Sequence, residues 1–176
     1  DSFRGTIEEW FDVRFQADLY ISESGVTGAG NINGIDPALL DELLTDPNIK
    51  YADVMRVCNA KPPKGVTVLA GVDMKHWSGE ARQIWLKKPG SITVESGAEP
   101  ALVSETFARR FGVLSGGVVE LETPAGMKKV SPFGIFCDYG NEFGMAAVSS
   151  DVWMKWTGFK RPINASLFLH DLSRLE

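Results

Sequence analysis

Apolar residues recur with two different periods at the start of the chain. Between residues 3 and 15 they fall at helical spacing opposite acidic side chains, and they form an aromatic-rich stripe of Phe3, Ile7, Trp10 and Phe11. This spacing predicts an amphipathic helix. From residue 16 to 22 apolar and polar residues alternate, and this pattern predicts a half-buried strand.

A Gly-rich loop leads from this strand to a short helix. In the segment "DPALLDELLTDP", Asp36 is a favoured N-cap, Pro37 is a favoured first helical residue and Pro47 stops the helix. The apolar run at 49–57 then predicts a second strand. These elements form one strand–helix–strand unit.

The remaining pattern predicts a β-rich middle and a second such unit. Strands are predicted at 66–74, 101–104, 116–122, 127–139, 144–149 and 164–170, helical segments at 83–86, 105–112 and 150–158, and a tight turn at 123–126. Ser104 can cap the second of these helices and Gly112 can end it. Ser150 or Asp151 can cap the third, and Gly158 can end it.

The order of elements predicts an α+β fold. The two strand–helix–strand units, 17–58 and 144–170, are each too short to bury their own apolar side. We therefore expect them to share one mixed sheet, with two helices on one face and a β-rich insertion between them.

Composition narrows the class of function. The chain has 176 residues, of which 44% are apolar and 23% charged, enough for one full core or two small ones. Its net charge of −5 and its lack of a basic cluster argue against nucleic acid as a partner. No run approaches the roughly 18 apolar residues of a membrane span. Two cysteines and two histidines leave little material for a soft metal site, and the sequence leaves open whether Cys58 and Cys137 pair.

The segment "DYGNEFG", residues 138–144, invites a chemical interpretation. Asp138, Asn141 and Glu142 suggest a metal loop or an acid/base pair, but their number and spacing do not fit an EF-hand calcium loop. Asp and Asn also satisfy turn backbone, and glycine permits positive φ. We interpret this segment as a structural connection.

Two other patterns resemble catalytic or cofactor motifs. The glycines Gly28, Gly30 and Gly34 imitate a dinucleotide-binding turn, but the last lies one residue late and Asp36 would repel a pyrophosphate. The possible nucleophiles and bases, Cys58, Cys137, His76 and His170, lie in no recognised motif. The sequence therefore predicts a protein that is not an enzyme, with no catalytic residue, cofactor or metal ligand.

The aromatic stripe carries the one functional hypothesis at residue level. Phe3, Ile7, Trp10 and Phe11 pack on the domain's own core, or they continue a membrane span and contact neighbouring stalks or the membrane interface. Both interpretations remain open from the residues alone.

The stretch from residue 101 to 144 resembles a known family. It is similar to the extracytoplasmic (periplasmic core) domain of ABC-transporter permeases of the FtsX/MacB/LolE type. The matching positions are Val103, Ser104, Phe107, Ala108, Gly112, Gly117, Thr123, Pro124, Gly126, Gly134, Asp138, Tyr139 and Gly144. The resemblance extends over most of the chain and is weakest at 75–98.

The resemblance implies a domain organisation. A stalk-type helix at 1–16 would follow a membrane span. Segments 17–60 and 139–176 would form a porter-like (ferredoxin-like) subdomain of two βαβ halves, and 61–138 would form a smaller inserted subdomain. The whole would lie on the extracytoplasmic face of the bacterial cytoplasmic membrane.

The resemblance also implies a role without catalysis. The domain would couple cytoplasmic ATP hydrolysis to the movement or release of a peptide, lipid or lipoprotein, or to a partner protein. Its partners would be membrane-spanning segments of the same chain, a cytoplasmic ATPase subunit and a second permease copy. No Walker A sequence occurs in these residues. The alternative is a free-standing soluble binding module or hydrolase with the same fold.

Overall fold

The computed structural model describes residues 5, 8, 11–13, 15–22, 34–79 and 83–174. The strands are β1 (Leu19–Ser22), β2 (Ile49–Ala60), β3 (Thr67–Val72), β4 (Trp85–Lys87), β5 (Glu99–Ser104), β6 (Val119–Thr123), β7 (Gly126–Phe136), β8 (Met145–Ser149) and β9 (Asn164–Leu169). The helices are α1 (Pro37–Leu43), α2 (Met74–Trp77), α3 (Glu105–Arg110) and α4 (Ser150–Thr157), followed by a 3-10 turn at Leu172–Arg174. Residues 11–13 are helical as well.

The strands form a mixed sheet in the order β1-β9-β2-β3-β8-β5-β7-β4, with β6 paired to β7. Two pairs, β3 with β8 and β5 with β7, are parallel, and the others are antiparallel. The strand β2 changes partner along its length, because Ile49–Met55 pairs with β9 and Arg56–Ala60 pairs with β3. It is therefore shared by a three-stranded sheet (β1, β9, β2) and a larger one.

Two helices cover one side of β2. Leu40 of α1 packs with Ala165 and Leu167 in a small core over the three-stranded sheet. Trp153 of α4 is buried in the main core over the larger sheet, and its indole N–H donates to the carbonyl of Leu69 on β3 at 3.0 Å. Gly71 of β3 permits this packing, since a Cβ there would lie 2.6 Å from the Cβ of Trp153.

The helix caps follow the sequence in most cases. Asp36 accepts from Ala38 N–H at 3.0 Å, Ser104 accepts from Phe107 N–H at 3.2 Å, and Gly158 ends α4 in the left-handed conformation. The predicted cap of α4 at Ser150 or Asp151 is wrong. Ser149 is the cap, because its backbone is still extended at the end of β8 and its hydroxyl accepts from Val152 N–H at 3.3 Å.

The segment after β3 differs from the prediction. The third strand ends at Val72 rather than at residue 74, because Asp73 accepts from the N–H groups of Lys75 and His76 and so begins α2. The helical pattern predicted at 83–86 is also wrong. Trp85 and Lys87 form an edge strand against β7, so the hydrogen-bonding edge of the sheet overrides the local apolar spacing.

The predicted α+β class with a mixed sheet is confirmed. The predicted boundaries of the two subdomains stay a prediction. The hydrogen bonds place β8 between β3 and β5, and α4 packs on β3, so the second strand–helix–strand unit contributes to both parts of the sheet. Among the described residues no helix has the length and apolar character needed to cross a membrane.

Candidate functional site

One residue of the predicted aromatic stripe lies in the described part of the chain. Phe11 is 49% exposed, and its ring stacks on Phe15 with centroids 5.5 Å apart. Phe15 in turn meets the edge of Tyr20 at 5.8 Å. Phe3, Ile7 and Trp10 lie outside the described residues. Phe11 is thus connected through Phe15 to Tyr20 on the first strand of the sheet.

The two faces of the three-stranded sheet differ in character. Paired residues on neighbouring strands point to the same side, so Ile21, Ala165 and Val54 face α1 and the small apolar core. The opposite side carries two rows of mostly polar residues, which we call the open face. Its rows are Tyr20, Ser166 and Asp53, and Ser22, Asn164 and Met55.

A cleft of about 290 Å³ lies over the open face. Val13 and Phe15 form one wall, and Trp77 of α2 and Gln83 form part of the rest. Trp77 is buried, and its indole N–H donates to both carboxylate oxygens of Asp53 at 3.2 Å each. The half-buried carboxylate is therefore held in a fixed orientation at the base of the cleft.

A second polar and aromatic group adjoins the cleft. The hydroxyl of Tyr51 donates to Asp73 at 3.0 Å, and the ring of Tyr51 lies 4.3 Å from His76 and 5.9 Å from Phe168. His76, a candidate base in the sequence, is therefore packed among aromatic rings at the junction of α2 with the sheet. His170 lies elsewhere, and its backbone N–H donates to the backbone carbonyl of Asn48 at 2.8 Å.

The segment 138–144 connects β7 to β8. Asp138 is buried, and its carboxylate accepts from the N–H of Gly140 at 3.0 Å. The side chain of Asn141 accepts from Phe143 N–H at 3.0 Å. Gly144 has a φ of 74° and lies so close to the backbone of Phe107 that a Cβ would not fit. The interpretation of Asp and Asn as turn-forming residues is confirmed.

The two cysteines are free thiols in different surroundings. Burial raises the pKa of Cys58 to about 11, although a hydrogen bond with Trp153 opposes the shift. Burial, and then the charge of Glu105, raises the pKa of Cys137. Because the thiolate is the reactive form, both shifts make these side chains poor nucleophiles.

The glycine-rich segment lies mostly outside the described residues, which include Gly34 but not Gly28 or Gly30. Gly34 has a φ of 54°, and a Cβ there would lie 2.6 Å from the carbonyl oxygen of Pro162. A close backbone contact accounts for this glycine. In the described part of the chain, no three His, Cys, Asp or Glu side chains are grouped so that they could hold a metal ion.

The cleft was not predicted from the sequence. A signal was present in β2, where Tyr51, Asp53 and Met55 alternate with Ala52 and Val54. The small and apolar residues point to α1, whereas the alternate positions carry aromatic, acidic and thioether side chains. The alternation shows that the two sides of β2 differ in character. It does not show that α2 forms a wall over the polar side, because that wall depends on tertiary contacts.

Solved structures share this fold. The extracellular domain of the noncanonic ABC-type transporter YknZ from Gram-positive bacteria superposes with a TM-score of 0.58 at 14% identity, covering 82% of this chain and 78% of that one. The periplasmic region of MacB from Actinobacillus actinomycetemcomitans also gives a TM-score of 0.58, at 12% identity, covering 95% of this chain and 81% of that one.

The chain has the fold of an extracytoplasmic ABC-transporter domain. No protein-family model matches it, and no curated protein matches it in sequence. At 12% and 14% identity, the likeness to YknZ and MacB is one of fold. It agrees with the resemblance seen in the sequence between residues 101 and 144.

Proposed function

We propose that the chain is the extracytoplasmic domain of a multi-pass ABC-transporter permease. In this role it has no catalytic activity and couples ATP hydrolysis by a cytoplasmic subunit to the movement or release of a cargo or to a partner protein. The observation that carries the proposal is the shared fold with the YknZ and MacB domains over 82% and 95% of the chain.

The arrangement of the first and last strands supports this role. β1 and β9 are antiparallel neighbours, and Asp18 accepts from the N–H of Leu169 at 2.7 Å. Beyond β9, the side-chain amide of Asn48 donates to the carbonyl of Asp171 at 2.9 Å, and its side-chain oxygen accepts from the N–H of Asp171 at 3.0 Å. The segments before β1 and after β9 thus lie at the same end of the sheet, as a domain inserted between two membrane spans requires.

The aromatic stripe would transmit the motion. A helix that continues a membrane span moves with the span, and the contacts of Phe11 with Phe15 and of Phe15 with Tyr20 connect such a helix to the open face. Coupling requires an element that can pack in two arrangements. The half-exposed stack of Phe11 on Phe15 can be such an element.

Two measurements in cells that express the full-length protein test the proposal: on which side of the membrane the domain lies, and which proteins bind it. Met127 on β7 is 58% exposed, so Met127→Cys in a background with Cys58, Cys137 and any other native cysteine replaced by Ser should react with a membrane-impermeant maleimide in intact cells. Affinity purification should recover an ATP-binding subunit. Labelling only after lysis would place the domain in the cytoplasm, and purification without an ATPase would remove the coupling role.

A further inference from the structure

The change of partner in β2 leaves a gap along one edge of that strand. β9 begins at Asn164, opposite Met55, so the segment 56–60 of β2 lies beyond the end of β9. It pairs with β3 on one edge and, within the described part of the chain, with no strand on the other. Residues 158–163, which lead from α4 to β9, cross this second edge.

Two hydrogen bonds hold the crossing segment in place. The N–H of Ile163 donates to the carbonyl of Met55 at 2.9 Å. The guanidinium Nε of Arg56 donates to the carbonyl of Lys160 at 2.8 Å. The segment therefore has a defined position beside β2, although it is not a strand.

A cavity of about 400 Å³ lies between the crossing segment, β2 and the helices α1 and α4. This volume falls within the range of ligand pockets, which run from about 300 to 1,000 Å³. Burial raises the pKa of Cys58, one of its lining residues, to about 11, as surroundings poor in water do. The lining is mostly apolar and includes Pro37, Val57, Cys58, Trp153, Phe159 and Ile163.

The charged groups at this cavity are positive. Among the described residues that line it, Lys160 and Arg161 carry charge and none is acidic. Asp36, which precedes Pro37, is engaged as the cap of α1. Arg161 takes part in another contact of the protein, so we assign the ligand's charge to the exposed side chain of Lys160. A negative head group placed there would gain a charge-assisted hydrogen bond at the water-exposed rim.

The lining also distinguishes a hydrocarbon chain from a peptide. Apart from the thiol of Cys58, the described lining residues offer no neutral polar side chain. Peptide groups that enter such a space lose hydrogen bonds to water, whereas a hydrocarbon chain loses none. We propose that this cavity binds the hydrocarbon chain of a single-chain carboxylate, such as a fatty acid, with its carboxylate held at Lys160.

This site is separate from the transporter role and from the cleft over the open face. It depends only on contacts within the fold, so it applies equally if the domain has a different location. A bound chain would touch β2, α4 and the segment before β9 at the same time.

Methyl NMR of the isolated chain tests the site. With labelled isoleucine δ1-methyl groups, the signal of Ile163, assigned through Ile163→Val, reports on the cavity, and that of the buried Ile135 reports on the main core. The probes are octanoate, octylammonium with the same chain and the opposite charge, and acetate without the chain. We expect a saturable shift of the Ile163 signal with octanoate while Ile135 stays constant. Octylammonium should bind at least tenfold more weakly, and acetate should cause no shift.

Two pairs of matched variants locate the ligand. Lys160→Gln should weaken octanoate binding severalfold, whereas Lys155→Gln should leave it unchanged, because Lys155 is an exposed residue of α4 outside the lining. Phe159→Ala should also weaken it severalfold. Phe143→Ala should not, since Phe143 is similarly exposed but lies on the connection between β7 and β8.

Four results would overturn the proposal. They are the absence of a saturable Ile163 shift, equal binding of octanoate and octylammonium, equal effects of the two lysine variants, and equal effects of the two phenylalanine variants. Binding of N-acetyl-leucine as tight as that of octanoate would also overturn it, because it would identify a peptide carboxyl terminus as the ligand.

Discussion

The hydroxyl of Ser104 holds two backbone segments at once. Fully buried, it accepts from Phe107 N–H at 3.2 Å and from Met145 N–H at 2.9 Å, so it caps α3 and anchors the start of β8. Ser104→Ala would leave two buried donors without this acceptor. We expect a loss of about 2–4 kcal/mol in the free energy of unfolding, measured by urea denaturation.

Ser149 is the matched control for that change. It caps α4 through one bond of 3.3 Å to Val152 and is only half-buried, so Ser149→Ala should cost about 0.5–2 kcal/mol. Equal losses in the free energy of unfolding for the two variants would show that the hydrogen bond of Ser104 with Met145 contributes nothing to stability.

The pKa of Cys58 leads to a pH-dependent prediction. Because burial raises this pKa from 9.0 to about 11, the folded state favours the neutral thiol more than the unfolded state does. The neutral Cys58 thiol therefore makes its full contribution to the stability of the folded state below pH 9, and this contribution is lost as the pH rises from about 9 to 11. Cys58→Ala removes it, so the stability of the wild type should fall more steeply than that of the variant across this range in urea titrations.

The same shift controls thiol reactivity. At pH 8 the thiolate fraction of Cys58 is lower in the folded chain than in the unfolded chain by about a hundredfold. In a Cys137→Ser background, a disulfide-exchange reagent should therefore react far more slowly with the native protein than with the protein in urea. Equal rates in the two conditions would contradict the burial of this thiol.

At the scale of elements, two phenylalanines at helix positions provide a comparison. Phe11 is half-exposed and stacks on Phe15, whereas Phe107 of α3 is fully buried. We expect Phe11→Ala to cost about 0.5–1.5 kcal/mol and Phe107→Ala about 3–5 kcal/mol in urea denaturation of the isolated chain. A cost of 3 kcal/mol or more for Phe11 would identify it as ordinary core packing and exclude a role as a mobile contact.

Elements with strong local signals could be predicted from the sequence. Asp36 with Pro37 fixed the start of α1, and the turn at 123–126 fixed the β6–β7 hairpin, since Thr123 pairs with Gly126 as expected. The strand β4 and the helix α2 could not be predicted. Trp85 becomes a strand residue only because β7 offers an edge, and α2 is a single turn dependent on the cap of Asp73.

The candidate site was less predictable than the fold, because it also depends on tertiary contacts. The stripe containing Phe11 was visible as periodicity, whereas the contact of Phe11 with Phe15, and of Phe15 with Tyr20 beside the cleft, was not. Asp53 and Trp77 are 24 residues apart, and only the pairing of β2 with β3 and the turn of α2 bring them together. Local patterns carry no information about such a contact.

For the whole molecule, the proposed coupling predicts a separation of two activities. In the full-length transporter, Trp10→Ala with Phe11→Ala should leave ATP hydrolysis present and reduce ATP-driven cargo movement, because the link between helix and domain is removed. Both activities are measured in the same vesicles. Phe143→Ala is the control, since Phe143 is 50% exposed outside this stack.

Two results would contradict the coupling role. If the double variant moves cargo at the wild-type rate per ATP, the stripe does not transmit motion. If it loses ATP hydrolysis as well, the stripe supports the assembly rather than the link. The stability of the isolated chain measured for Phe11→Ala distinguishes a loss of folding from a loss of coupling.

The change of partner within β2 also bears on how this fold can be exchanged between proteins. Residues 49–55 complete the three-stranded sheet and residues 56–60 belong to the larger one, within one uninterrupted strand of twelve residues. A chimera joined in the middle of β2 would join two strand halves from different proteins, and the register of one half with β9 would have to match the register of the other half with β3. Functional exchange with a relative therefore requires junctions outside 49–60, so the strand is inherited as one piece whichever sheet is replaced.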